Sequence, residues 1–297
     1  METQRNRTRG KIACAGQFQI NNGAGAWINN GTFNPGGGTS RVIFTNLDAT
    51  IAGVTNFNNV TINAGAGLRP ITNNVMRIAG ALVNNGNLLT GAISNTVEFN
   101  GTNQTLAAPN GSLPGYNNLI INGTGAVFPA TLGITGDLTI NQSIDFTGKT
   151  ITILGSDPQI IGGSSAPAFD NLTINKPLEN ITLATNVAVN GTLTLTSGNL
   201  IIGSNNLTLG ANAVAGAFAA TSMIVADGAG EVRRTYTGPG TYTFPIGDRT
   251  AIAEYSPISV SVTAGSFSNA YVGVSVTDGI HPNNSSSDQN LTRYWKV

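Results

Sequence analysis

The chain has 297 residues, of which only 9% are charged, and its 14 basic and 14 acidic side chains give a net charge of zero. Ordinary globular proteins carry roughly 25% charged residues, and nucleic-acid-binding proteins cluster cations against the phosphates, so this composition argues against a nucleic-acid partner. The apolar runs also fall short of the ~18 residues of a membrane-spanning helix, so we expect no membrane insertion.

The beginning of the chain differs from the rest. Residues 1–11 are rich in arginine and lack the apolar core of a signal peptide. We expect residues 1–16 to be a flexible segment, and we expect the chain to be a fragment of a longer protein whose export signal lies upstream. Cys14 is the single cysteine, so no internal disulfide can form, and we interpret it as an incidental thiol.

A seven-residue phrase occurs three times, each time as an aromatic residue, two residues of the Asn/Asp type and a short apolar strand. The copies are residues 57–63, 116–122 and 169–175, whose starts lie 59 and 53 residues apart. Two apolar segments precede each copy in the same order, so the repeat is interpreted as a structural unit. We expect the aromatic residues Phe57, Tyr116 and Phe169 to pack in the core at equivalent positions.

A shorter rhythm runs inside this unit, as six apolar triplets whose starts lie 9, 6, 6, 7 and 7 residues apart. The triplets are residues 172–174, 181–183, 187–189, 193–195, 200–202 and 207–209. Strand side chains alternate, so the first and third residues of each triplet share one apolar face. Three triplets span about 20 residues, which is the size of one coil of a three-faced parallel β-helix, and stacked coils bury a continuous core.

This spacing predicts an all-β protein, with a right-handed parallel β-helix, or β-solenoid, of about ten coils over residues 17–226. An antiparallel sandwich is the alternative, but its strands usually recur every 8–12 residues. The pattern changes near Ala226, and the longer alternating stretches 258–262 and 271–276 predict antiparallel strands joined through 263–270. We therefore predict a small β-sandwich-like cap over residues 227–297, truncated within a strand.

A resemblance to known proteins rests on the repeated phrase, the segment 191–198 (GTLTLTSG), and the tail segments 242–248 (YTFPIGD) and 293–295 (RYW). These segments resemble repeat regions of large secreted surface proteins of Bacteroidetes-type bacteria. The resemblance covers roughly residues 40–297. It implies export through the type 9 route and a role as an adhesin or surface-layer component. It also implies a secreted or cell-surface location, although a signal peptide is not present in this chain.

Catalytic chemistry is hard to assemble from this sequence. Glycoside cleavage needs two carboxylates about 5–10 Å apart, but Asp137 and Asp145 are eight residues apart and not one coil apart. The single histidine, His281, precedes a loop and excludes multi-histidine metal sites. The glycine-rich segments lack the Asp of calcium-binding solenoid turns. Gly247-Asp248 could supply one calcium ligand, but we interpret Asp248 as a solvated turn residue. We predict no catalytic residue, no metal site and no cofactor.

The sequence therefore predicts a non-catalytic structural or adhesive segment of a secreted cell-surface protein, acting as a rigid stalk or a binding surface. The expected partner is a surface polysaccharide or another cell-surface protein. The alternative is a carbohydrate-active β-helix, either a polysaccharide-binding protein, a lyase or a glycosidase. The clustering of acids distinguishes the two, because two or three acids and an Arg or Lys within about 6 Å of one another in a cleft would favour the enzyme.

Overall fold

The computed structural model describes residues 12–13, 17–20, 26–29, 31, 33–36, 38–110, 115–210, 214–286 and 288–297. Over these residues the chain is all-β, contains no helix and forms a β-solenoid of about ten turns, as predicted. No described residue belongs to a helix that is long and apolar enough to cross a membrane. The chain divides into two compact units, residues 1–145 and 146–297. Apart from Ile12–Ala13, the predicted flexible segment 1–16 lies outside the described residues.

The first unit contains fifteen described strands, and most of them are two to five residues long. They are β1 (Ile12–Ala13), β2 (Gln17–Ile20), β3 (Ala26–Asn29), β4 (Phe33–Asn34), β5 (Arg41–Phe44), β6 (Ala49–Phe57), β7 (Asn59–Ile62), β8 (Gly67–Pro70), β9 (Asn74–Ile78), β10 (Leu82–Asn84), β11 (Asn87–Leu88), β12 (Asn95–Phe99), β13 (Asn118–Ile121), β14 (Thr131–Ile134) and β15 (Leu138–Ile140).

Parallel pairing between successive coils organises these strands into ladders. One ladder joins β2, β5, β7 and β10, and a second joins β3, β6, β8 and β11. A third runs from the end of β6 through β9, β12 and β13 to β15. Each strand is too short to be stable alone, so the backbone hydrogen bonds to the coils on either side hold it in place.

The third ladder shows how the side chains build the core. In its register, side chains at equivalent positions of successive coils stack into two columns that point inward. Each of these side chains is at most 1% exposed. The columns are Met76, Val97, Leu119 and Leu138, and Phe57, Ile78, Phe99, Ile121 and Ile140. Burial of such apolar side chains contributes about 1.5–3 kcal/mol each, so the columns are the main source of coil-to-coil stability.

The second unit contains seventeen described strands. They are β16 (Phe146–Ile153), β17 (Gln159–Gly162), β18 (Ala168–Asn175), β19 (Ile181–Leu183), β20 (Val187–Val189), β21 (Leu193–Ser197), β22 (Leu200–Ile201), β23 (Leu207–Leu209), β24 (Ala215–Gly216), β25 (Ile224–Val225), β26 (Val232–Tyr236), β27 (Gly240–Phe244), β28 (Ile246–Asp248), β29 (Glu254–Tyr255), β30 (Ile258–Val262), β31 (Ala270–Asp278) and β32 (Arg293–Lys296).

The predicted coil length is confirmed in this unit. In the ladders, residue 172 pairs with 193, 181 with 200 and 187 with 207, which are separations of 21, 19 and 20 residues. The first and third residues of the triplets at 172–174, 193–195 and 207–209 are at most 2% exposed. The middle threonines, Thr173, Thr194 and Thr208, are partly exposed, so the predicted inward and outward faces are also confirmed.

Parallel stacking continues beyond residue 226. The strand β26 pairs parallel with β23, and β28 pairs parallel with β25. Antiparallel pairing then takes over, because β31 pairs with β26 and β32, β29 with β28, and β30 with β27. The change of strand direction thus lies within the predicted cap 227–297 and not at its start, while the cap as a separate domain stays a prediction.

Asparagine side chains tie the turns of successive coils together. The Oδ1 atoms of Asn59, Asn118 and Asn171, which occupy the same position of the repeated phrase, accept the backbone N–H of the next coil at 2.8, 2.8 and 3.0 Å. Asn180, Asn186, Asn199 and Asn206 make the same contact at other turns. These bonds satisfy turn N–H groups that have no strand partner, which explains why the chain is rich in asparagine.

Candidate functional site

Near the end of the chain, two antiparallel strand pairs bring charged side chains together. Asp248 lies opposite Glu254 across β28 and β29, and Asp278 lies opposite Arg293 across β31 and β32. One carboxylate oxygen from each of the three acids lies within 4.8 Å of the other two. We refer to Asp248, Glu254, Asp278 and Arg293 as the Asp248 cluster.

Arg293 ion-pairs with two of the three acids of this cluster. Its Nη1 atom lies 3.4 Å from Asp248 Oδ2 and also donates to the Ser256 hydroxyl, while its Nη2 atom pairs with Glu254 Oε2. Two residues further on, the Trp295 indole N–H donates to the Ser256 carbonyl oxygen at 2.9 Å. The strand β32 is therefore held both by its pairing with β31 and by these side-chain contacts.

Asp248 is the most buried member of the cluster. Its side chain has no solvent exposure, compared with 17% for Arg293 and 35% for Glu254. Burial raises the pKa of Asp248 above its ordinary value, and the carboxylates of Asp278 and Glu254 add to this rise. Arg293 and a hydrogen bond from the Thr250 backbone oppose it. Asp248 Oδ1 is buried and accepts no hydrogen bond. Three acids thus lie close together in a partly desolvated site, and one guanidinium pairs with two of them.

The interpretation of Asp248 as a solvated turn residue is wrong. The Gly-Asp pair is typical of turns, but here it ends β28, which stacks on β25 in the solenoid and is covered by β29. The available signal was the alternation of Ile246 with Asp248, because residues two apart in a strand face the same side and Ile246 is apolar. No local pattern shows that Asp278 lies nearby.

Among the described residues, the acids of the coil region form no group of three like the Asp248 cluster. Asp137 is partly buried next to β15, and Asp145 is exposed. Two other acids do pair with a cation one coil away, which the sequence analysis missed. The pairs are Arg69 with Asp48 at 2.6 Å and Arg77 with Glu98 at 2.8 Å. Both pairs are 21 residues apart, and this coil-length separation was the signal that could have found them.

Lys176 is a second cation whose role the sequence did not reveal. Its side chain is fully buried after β18, where Nζ donates to the Asp157 carbonyl oxygen at 2.6 Å and to the Gln159 side-chain oxygen. A third bond reaches the Gly155 carbonyl oxygen at 3.3 Å. Buried charges are costly unless they are hydrogen-bonded, and these bonds offset that cost.

The repeated aromatic residues do not form a sugar-binding platform. Phe57, Tyr116 and Phe169 are at most 1% exposed, which confirms the prediction that they belong to the core. Tyr116 donates its hydroxyl to the Ala107 carbonyl oxygen at 2.6 Å, and Phe169 packs against Phe146 with ring centroids 4.7 Å apart. Flat aromatic faces that could stack on a sugar ring are therefore not available at these three positions.

A shallow depression of the first unit is lined by residues 80–83 and 102–107, which include no charged side chain. His281 lies exposed in a loop, as predicted, with its ring 4.8 Å from that of Tyr294. Cys14 lies outside the described residues.

Comparison of the chain with protein-family models, with curated proteins and with solved structures finds no match in any of the three.

Proposed function

We propose that the chain is a structural or adhesive segment of a secreted cell-surface protein, acting as a rigid stalk or binding surface without catalytic activity. The observation that supports this most directly is the repetition of one coil-to-coil contact. In-register apolar columns and asparagine bonds from Asn59, Asn118 and Asn171 recur along the chain. A repeated contact of this kind lets length grow without a change in the building unit.

The surface composition supports the same proposal. Charged residues are few, the net charge is zero, and single threonines such as Thr173 and Thr194 stand on the outer faces of the strands. A neutral, hydroxyl-rich surface suits contact with neutral polysaccharide or with another surface protein, and a net charge of zero gives little attraction for phosphate groups. The proposed partner is therefore a surface polysaccharide or a cell-surface protein.

Small-angle X-ray scattering tests the stalk. A compact globule of 297 residues has a radius of gyration of about 19 Å, whereas a rigid stalk requires a clearly larger value. A value near that of a globule would contradict the proposal. Adhesion is tested by binding of the labelled protein to intact cells and to purified surface polysaccharide, with heat-unfolded protein as the control. Retention on neither would restrict the proposal to the stalk.

A carbohydrate-active enzyme is the second candidate, and the Asp248 cluster favours it because three acids and an arginine meet there. The burial of Asp248 counts against it, since a catalytic carboxylate must reach its substrate. Incubation with a panel of polysaccharides, followed by assays for new reducing ends and for unsaturated sugars, tests this candidate. Cleavage that is lost in Asp278→Asn but kept in Asp48→Asn would establish it over the non-catalytic proposal.

A further inference from the structure

We propose that Asp248, Glu254 and Asp278 form a binding site for a hard divalent cation of the calcium class, which fastens the C-terminal strands to the solenoid. This inference does not depend on the proposed stalk function. The distances between the carboxylate oxygens suit a shared ion, because one oxygen of each acid lies within 4.8 Å of the others. A point at about 2.8 Å or less from all three then exists, close to the 2.3–2.6 Å of calcium–oxygen bonds.

The strand register brings the negative charges together. Asp248 and Glu254 face each other directly across β28 and β29. Like charges at directly opposed positions of an antiparallel pair destabilise the sheet. Asp278 brings a third negative charge to the same place from β31, on another pair of strands. Three negative charges thus meet where the two strand pairs converge, which is unfavourable. A bound cation would make this arrangement favourable, because each carboxylate would be attracted to it.

The negative charges of the cluster outnumber its positive charge. Within the part of the chain that the structure describes, Arg293 is the cation that ion-pairs with these acids, through Asp248 and Glu254. The three carboxylates and the guanidinium therefore sum to −2 when all are ionised. Arg293 contacts Asp248 only at Oδ2, and at the long distance of 3.4 Å.

One oxygen of the Asp248 carboxylate is a further sign of a missing ligand, although the other oxygen contacts Arg293. Asp248 Oδ1 is fully buried and has no hydrogen-bond donor. A buried carboxylate oxygen without a partner costs about 1–3 kcal/mol or more, so native proteins rarely leave one. A cation in contact with this oxygen would remove that cost.

The ligand chemistry selects the kind of cation. All three groups are carboxylates, and the nearby Ser256 side chain offers a hydroxyl oxygen. Oxygen-only sites suit hard cations, whereas zinc and copper favour nitrogen and sulfur ligands. Calcium also accepts six to eight ligands in a flexible geometry, so water can complete a site of three carboxylates that is partly open to solvent.

Calcium titration of the full chain tests the proposal, by isothermal calorimetry and by thermal unfolding at constant ionic strength. We expect saturable binding of about one ion per chain and a midpoint of unfolding that rises with calcium. Asp278→Asn should weaken binding at least tenfold while the protein stays folded by circular dichroism. Asp48→Asn, which removes another arginine-paired acid, is the matched control and should leave binding unchanged.

A second variant separates a cation site from a simple salt-bridge cluster. Arg293→Gln removes the positive charge between the carboxylates, so calcium should bind at least tenfold more tightly and restore the thermal stability that the substitution costs. A salt-bridge cluster alone would lose stability that calcium does not restore. The proposal is overturned if calcium does not bind, if Asp278→Asn binds equally well, or if Arg293→Gln shows unchanged or weaker binding.

Discussion

At the scale of the residue, the inward leucines of the triplets stabilise the stacked coils through burial. Leu193 is 1% exposed and pairs in register with Leu172, whereas the next residue, Thr194, points outward. We expect Leu193→Ala to lower the free energy of unfolding by about 2–5 kcal/mol, because it removes buried methyl groups and leaves a cavity. The matched control Thr194→Ala should change it by less than about 0.5 kcal/mol. Urea denaturation of both variants checks this, and equal effects would contradict the assigned faces.

Tyr116 provides a residue-scale prediction about pH. Its ring is fully buried, its hydroxyl donates to the Ala107 carbonyl oxygen, and burial raises the pKa of the phenol well above its ordinary value. In the unfolded chain the phenol ionises near pH 10, but in the folded chain it stays protonated to higher pH. Its contribution to stability is therefore complete below pH 10 and is lost as the pH rises above it.

Tyr116→Phe separates these effects. At pH 7 the variant should lose about 0.5–1.5 kcal/mol, the net contribution of one hydrogen bond. Above pH 10 its free energy of unfolding should fall less steeply than that of the wild type, because one titrating group has gone. Denaturant titrations at pH 7, 9, 10 and 11 measure both quantities. Parallel pH profiles for the two proteins would show that Tyr116 ionises equally in the folded and unfolded chains.

At the scale of the element, each repeated phrase has a glycine stacked on it in the next coil. This glycine lies against the two Asn or Asp residues that follow the aromatic residue of the phrase. A Cβ atom added to Gly80, Gly136 or Gly191 would lie 2.5 Å from an oxygen atom of that pair. At Gly191 the nearest atom is the Asp170 backbone oxygen, which accepts the Gly191 N–H at 2.8 Å. The close approach of two turns thus requires glycine at this position.

Gly191→Ala should therefore destabilise the protein by about 1–3 kcal/mol, because the added methyl group forces two adjacent coils apart. Gly240→Ala is the matched control, since its Cβ would meet no atom within 4 Å and the position does not require a positive φ. The midpoints of thermal unfolding of the two variants give the comparison. Similar losses in both would mean that the turns are not in close contact at Gly191.

The elements also show what the sequence could and could not predict. The triplets at 172–209 were placed correctly because alternation and spacing are local properties that survive in a stacked fold. Segments 258–262 and 271–276 are antiparallel strands as predicted, but they pair with β27 and β26. The partner of an antiparallel strand depends on contacts between distant residues, which the pattern within one strand does not encode.

The candidate site could not be predicted from local patterns, because it also depends on contacts between distant residues. Each acid of the Asp248 cluster lies in a separate strand, and the residues that meet are up to 45 positions apart. No repeat relates these strands, so the coil length that links Asp48 to Arg69 gives no guide here. The sequence therefore predicted the column of apolar residues but not the convergence of three acids and an arginine at the Asp248 cluster.

At the scale of the whole molecule, the last strands protect the edges of the stacked coils in the second unit. Deletion of residues 227–297 removes β26 and β28, which are the parallel partners of β23 and β25. Bare strand edges with apolar residues such as Leu207 and Ile224 are templates for pairing with another chain. We expect the shortened chain to keep its β circular-dichroism spectrum but to associate as its concentration rises.

Deletion of residues 279–297 alone is the matched control for this prediction. It keeps β26, β28 and β31, so the edges of β23 and β25 stay covered, and association should be much weaker. Sedimentation velocity over a hundredfold range of concentration measures both variants. Loss of all β structure on deletion of 227–297 would show that the coils cannot fold without those strands.

The stacking of coils in a fixed parallel register is the central claim, and disulfide trapping tests it most directly. In a Cys14→Ser background, Thr173→Cys and Thr194→Cys place thiols on outward positions that are paired in register on adjacent strands, a spacing that a disulfide can bridge. Thr173→Cys with Thr182→Cys places them on strands of different ladders. We predict rapid intramolecular disulfide formation in the first pair and little in the second. Equal rates, or a faster rate in the second pair, would contradict the stacked register.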